Sequence, residues 1–250
     1  MSMRLFRRLM ATLALLMLIV GTTVTPSQAA TPGTATPSAA TVSAATTPAR
    51  KSAAKSAPHG CSAKLHHDDQ RLGPAVLSNS GRIGNELVGY HRTGNLTVKN
   101  FLDTYWDNTA NGGQGGWIYP KNDGFLSDAD GNPIKWTQRL VRGDFIDRFG
   151  SEYGAFLAPS GSSYSSRAIP PSSLVGQPAS RCNYSTYRVK KGFNVSAGPI
   201  APWFGQPGRG TQYQLKNDLV PGAPQQLNVL WLIQQGYLER VPATRPAKLH

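Results

Sequence analysis

The chain has 250 residues, 39% of them hydrophobic and 16% charged, with a formal net charge of +13. Eight of the 26 basic residues lie in the terminal segments described below, so the rest of the chain carries 18 basic against 13 acidic residues, about +5. That balance suits an anionic ligand but is weaker than a dedicated nucleic-acid binder shows, and no segment after the N-terminal apolar run is apolar enough to span a bilayer.

In chain order, the first element is a leader. Arg4, Arg7 and Arg8 precede an apolar run from Leu9 to Val20, and Ser27-Gln28-Ala29 places small residues where a signal peptidase reads them. The run is shorter than the roughly 20 residues of a spanning helix, so residues 1–29 read as a secretory signal peptide and the protein as extracellular. Residues 30–59 are almost all Ala, Thr, Pro and Ser. They offer too little apolar surface to offset chain entropy and read as a disordered linker. The fold then begins near Cys61. The chain has two cysteines, Cys61 and Cys182. An even count in an exported chain points to a disulfide, and closing so long a loop stabilises by roughly 4 kcal/mol in the chain-entropy model.

In "NLTVKNFLDTYWDN", Val98, Phe101, Leu102, Tyr105 and Trp106 fall on one helical face, with Thr97 as N-cap. "NGGQGG" then breaks the chain and reads as a hinge between a small helical piece (60–115) and a main domain (116–241). "DADGNP" is a turn; its Gly131 comes too early, and the closing Glu is missing, for a calcium loop. In "IKWTQRLV", Ile134, Trp136, Gln138 and Leu140 alternate with Lys135, Thr137, Arg139 and Val141, the signature of a strand. "DFIDRFG", "TYRVKK" and "QYQL" read as further short strands. Leu227, Leu230, Trp231 and Gln234 return to helical spacing, stopped by Gly236, and 242–250 is a flexible tail. The fold class is therefore α+β: a twisted, mostly antiparallel sheet with few helices.

Standard catalytic motifs are few. "APWFGQPGRGTQY" (201–213) spaces Gly205 and Gly210 as a P-loop does, but Thr211-Gln212 stand where Lys-Ser/Thr belong, and Tyr213 stands where a dinucleotide fingerprint needs its third Gly. No Ser lies in G-x-S-x-G. "HHDD" at 66–69 reads as a solvated segment rather than a metal site. The three glutamates, Glu86, Glu152 and Glu239, form no evident pair with a His for proton transfer. What remains are arginines in aromatic and glycine-rich settings, Arg148 in "IDRFG" and Arg167 in "SSRAIPP", whose planar forks suit phosphate.

Several uncommon blocks then occur in a fixed order: "YPKNDGF", "IDRFGSEYGAFLAPSG", "RAIPP", "Y-x-x-Y-x-V" and "GPIAPWFGQPGRGTQY". Over about 117–241 the chain resembles the tuberculosis necrotizing toxin domain family of NAD(P)+ glycohydrolases. Upstream, "RLGP" and "GYHRTGNLTVKNFLDTYW" resemble the N-terminal thumb of secreted fungal NADases. The resemblance implies that Arg148 and Gln212 are essential and that Arg167 and Phe156 contact substrate. NAD+ or NADP+ would be the substrate, and no cofactor is implied. An immunity protein is a possible partner. Ser185 stands where the toxin has a His. The terminal helix, where a family metal would be sought, carries Gln234-Gln235, so no metal is expected. Release of nicotinamide from a pyridinium needs no general acid, which suits a chain lacking an evident one; a Gln amide would then place a ribose hydroxyl or the water. Glycohydrolase, non-catalytic binding module and ADP-ribosyltransferase or cyclase stay open as alternatives, as do a toxin and a scavenging role.

Overall fold

The computed structural model describes residues 60–242; the leader, the linker and most of the tail lie outside the described residues. Two 3-10 turns, His66–Asp68 and Gln70–Leu72, lead to helices α1 (Gly81–Glu86) and α2 (Val98–Tyr105). Helix α2 is the one its periodicity predicts. The Thr97 side chain accepts from the Asn100 amide as N-cap, and Phe101 is buried on the inner face. Trp106 leaves the helix and opens a two-residue strand β1 (Trp106–Asp107), paired with β2 (Gly116–Trp117) around the turn α3 (Ala110–Gly113). The glycine run expected to act as a hinge is thus the loop of a short hairpin. Gly112, Gly113 and Gly115 all have positive φ, and a side chain on Gly115 would strike the Trp106 ring.

Beyond it come β3 (Trp136–Leu140), β4 (Phe145–Phe149), β5 (Phe156–Pro159), helix α4 (Tyr164–Arg167), β6 (Tyr184–Val189), β7 (Phe193–Pro199), β8 (Thr211–Gln214), helix α5 (Val229–Gln234) and β9 (Leu238–Val241). Seven of these strands form one sheet in the order β3-β7-β8-β5-β4-β6-β9, every pairing antiparallel. The α+β reading holds. The turn before β3 is closed by Asp128, whose side chain accepts from the amides of Asp130 and Asn132.

Period-two alternation divides the sheet into two faces. Ile146, Leu157, Tyr187, Val195 and Tyr213 point one way and are covered by Val229 and Leu232 of α5. On the other face, Phe149 packs with Tyr164, Leu87 and the Cys61–Cys182 disulfide. The bridge pins the start of the described chain to the segment entering β6. A third cluster joins Phe101 and Leu72 to Phe204 of the glycine loop, with Trp117 and Trp203 against them. The described residues belong to one compact unit.

Candidate active site

Strands β4 and β5 pair only at Ile146–Pro159 and Asp147–Ala158. Past those pairs they part, and residues 150–155 loop out between them. Arg148 fills the fork. Its Nη1 donates to the Phe156 carbonyl at 2.6 Å and its Nε to the Ser151 carbonyl at 2.7 Å. The loop closes round the guanidinium because it carries glycines there: a methyl on Gly154 would overlap Nη2. Among the described residues Arg148 has no carboxylate within ion-pair distance. Burial lowers its pKa, partly opposed by Tyr187 and Tyr119. A guanidinium held by carbonyls, without a carboxylate partner among the described residues, keeps a charge that suits an anion.

The four residues singled out in the sequence all line one small cleft of about 60 Å³: Arg148, Phe156, Arg167 and Gln212, with Asp147 at its floor. Phe156 is 37% exposed at the lip. Gln212 is buried on β8, and its Nε2 donates to the Asp123 carbonyl at 3.0 Å, which leaves Oε1 as the free acceptor. Larger cavities lie elsewhere. One of about 570 Å³ is lined by Arg82, Arg181, Arg240, Tyr184 and Ser185, and none of the four residues touches it.

Arg167 departs from the expected phosphate grip. It is buried, its Nη1 pairs with Asp147 Oδ1 at 2.6 Å, and its Nη2 reaches Glu86 Oε2 at 3.2 Å. Nε and Nη2 also donate to the Ser162 carbonyl, at 3.2 and 2.8 Å. Its face lies over Phe149, 5.2 Å from the ring centroid. Burial opposes the Arg167 cation, but Asp147 and Glu86 outweigh it and the net shift is upward. The side chain lines the cleft with Nε and Nη2 held in hydrogen bonds and Nη1 in a close ion pair with Asp147 Oδ1, a contact without hydrogen-bond geometry.

The glycine loop also differs in use. A side chain on Gly208 would meet the Ala201 carbonyl, one on Gly210 would meet Ser166, and one on Gly205 would meet Thr93 and Gly94. These glycines let backbone pack on backbone, which sets Gln212 in place; they form no open phosphate cradle. Gln206 is likewise consumed, donating to the His91 carbonyl at 2.6 Å.

Sequence reasoning missed Asp147, Glu86 and Tyr184. Asp147 had a signal: in "FIDRF" it alternates with Phe145 and Phe149 and so falls on their face of the strand, where Phe149 is buried. Glu86 had a weaker one, lying three residues after Ile83 and next to Leu87 in a short helix.

The tuberculosis necrotizing toxin family model matches residues 139–241. The conidial surface nicotinamide adenine dinucleotide glycohydrolase nadA of Aspergillus fumigatus is 44% identical over 174 residues, 69% of each chain. Among solved structures, tuberculosis necrotizing toxin with its immunity factor is 22% identical, covering 58% of this chain and 71% of that one at TM-score 0.41. Rhs1-CT with its cognate immunity protein is 16% identical, covering 44% and 80% at TM-score 0.28. The identity to nadA, which runs through most of this chain, settles the kinship: the chain belongs to the same family as that fungal protein, and residues 139–241 are its tuberculosis necrotizing toxin domain.

Proposed function

We propose that this protein is a secreted NAD(P)+ glycohydrolase, with residues 1–29 as leader, 30–59 as linker, 60–115 as thumb and 116–241 as the glycohydrolase domain. The observation that carries the reading is the convergence of Arg148, Phe156, Arg167 and Gln212 on one cleft, in a chain 44% identical to a fungal NAD glycohydrolase.

The reaction breaks the bond between nicotinamide N1 and ribose C1′. The electron pair leaves with the nicotinamide, which departs neutral; water adds at C1′, and ADP-ribose and a proton result. No group on the protein has to protonate the leaving ring. The chain's work is placement and charge. Arg148 receives the pyrophosphate, since its cation has no carboxylate partner among the described residues. Phe156 offers a flat face to the nicotinamide at the lip. Gln212 Oε1 accepts from a ribose hydroxyl or the attacking water while Nε2 stays tied to Asp123 O. Arg167 shapes the floor through Asp147. The cleft is far smaller than the roughly 300–1,000 Å³ of whole-ligand pockets, so it takes the reacting end and the adenosine half lies over the outer surface. The dinucleotide is substrate, and the scheme calls on no cofactor.

Incubation with NAD+ and NADP+, followed by chromatography, tests this. Free nicotinamide and ADP-ribose in equal amounts support it, with Arg148→Ala reducing turnover at least about a hundredfold. Modified protein or a cyclic product would make the chain a transferase or cyclase. Tight NAD+ binding without turnover would make it a binding module.

A further inference from the structure

Beneath the cleft lies a buried polar group with an odd proton count. Tyr184 Oη is 2.6 Å from Glu86 Oε1 and 2.7 Å from Asp147 Oδ2. A phenol has one hydrogen to donate. Both contacts are hydrogen bonds only if a second proton sits on one of the carboxyls; otherwise lone pairs face each other in a buried site. Charge agrees. Glu86 and Asp147 are 2% and 0% exposed, and among the described residues Arg167 is the one cation paired with them. Two ionised carboxylates against one guanidinium would leave a buried net negative charge.

The proton belongs on Glu86. Asp147 accepts from the Gly161 amide at 3.1 Å in addition to Tyr184, and takes the short 2.6 Å ion pair with Arg167. Among the described residues Glu86 has, apart from Tyr184, the longer 3.2 Å contact to Arg167. The charged and titratable groups facing Glu86 are Arg82 on its own helix, Asp147 on β4, Arg167 on α4 and Tyr184 on β6. Burial and then Asp147 push the Glu86 carboxyl up to about 7, against the pull of Arg167, Tyr184 and Arg82.

We propose that Glu86 is a positioning residue for the glycohydrolase cleft: held as a neutral acid, it donates to Tyr184, which donates to Asp147, and so Arg167 is fixed at the cleft floor while the cleft keeps the positive field of Arg148. Ionised Glu86 adds a buried negative charge behind the anion receptor and weakens substrate binding, with little effect on bond cleavage. The role rests on the glycohydrolase reading above, yet its first test is independent of activity.

Glu86, Glu152 and Glu239 are the only glutamates in the chain, so ¹³C-labelled glutamate gives a resolvable NMR titration of the intact protein. One carboxyl carbon should titrate near neutrality, and that signal should vanish in Glu86→Gln. In kinetics, KM for NAD+ should rise about tenfold between about pH 6 and pH 8.5, with kcat nearly constant. Glu86→Gln, which keeps a neutral donor, should hold the low KM throughout that range, and Glu86→Ala should raise KM at every pH. A Glu86 carboxyl that titrates below about pH 5, or a Glu86→Gln profile identical to wild type, would overturn the proposal. If Glu86→Ala does not fold, the NMR titration and the Gln variant still decide. Absence of nicotinamide release at any pH would sink the glycohydrolase reading instead, and the titration would still report the proton.

Discussion

Arg148 on β4 and Ser185 on β6 are direct cross-strand partners. The resemblance to the toxin family sets a histidine at the position of Ser185, so in this chain a small hydroxyl residue lies opposite Arg148 across the two strands. The pairing ties that difference in sequence to the residue proposed to receive the pyrophosphate.

Ser185→His should fold, because the position is only partly buried. The neighbouring guanidinium disfavours a second cation, so the new imidazole should titrate below its usual value of about 6.5. At pH 7.5 kcat/KM should stay within about threefold of wild type. An imidazole NMR titration with steady-state kinetics checks both. A gain of tenfold or more would make the histidine a working group that this chain lacks.

Gln212 gives a sharper pair of variants. Gln212→Ala removes the acceptor in the cleft. Gln212→Glu keeps the shape but sets a carboxylate oxygen against the Asp123 carbonyl, where Nε2 now donates at 3.0 Å. Both should lose about a hundredfold in kcat while still binding NAD+ through Arg148. Calorimetric titration with NAD+ beside nicotinamide-release rates separates the two effects. Near-normal turnover in the Ala variant would remove Gln212 from the chemistry.

Gly154→Ala tests the carbonyl cage round Arg148. The added methyl would overlap Nη2, and the flexible guanidinium can swing away without disturbing the sheet. Tm should fall by less than about 5 °C. With its bonds to the Ser151 and Phe156 carbonyls lost, kcat/KM should drop at least about tenfold. Full activity in this variant would show that the position of Arg148 is not critical.

Stability should carry the mark of Glu86. Its folded pKa of about 7 lies above the ordinary glutamate value of 4.5, so the folded chain binds the extra proton more tightly than the unfolded chain does. The contribution is therefore fully present below about pH 4.5, is lost as pH rises through about 7, and is constant above that; its size is on the order of 3 kcal/mol. Thermal melts of wild type and Glu86→Gln should show the wild-type advantage shrinking from pH 5 to pH 8. A difference in Tm that does not change with pH would mean that Glu86 titrates alike in both states.

Much was legible from local pattern. Alternation in "IKWTQRLV" and "DFIDRFG" marked β3 and β4, because side-chain period is a property of the strand itself. Thr97 and the Phe101 face marked α2 for the same reason. Strands β5, β7 and β9 were not assigned. Strand β7 does alternate, Phe193, Val195 and Ala197 against Asn194 and Ser196, but the small Ser, Ala and Gly residues weaken the contrast and Gly198-Pro199 cut the run short; β5 and β9 have only four residues each, too few for a pattern to stand out.

The sequence by itself determined the fold class, the family and the four residues that meet at the cleft, since ordered motifs and periodicity are carried within each segment. Only the tertiary structure decided what those residues do for one another. The splitting of β4 from β5 cages Arg148, the register of β4 on β6 places Ser185 beside it, and burial brings Glu86, Asp147, Arg167 and Tyr184 into one proton-sharing group. These are long-range facts: Glu86 and Tyr184, joined by a hydrogen bond in that group, are 98 positions apart. The protonation state and charge balance of such a group depend on which partners surround it in space, which no local stretch of chain encodes.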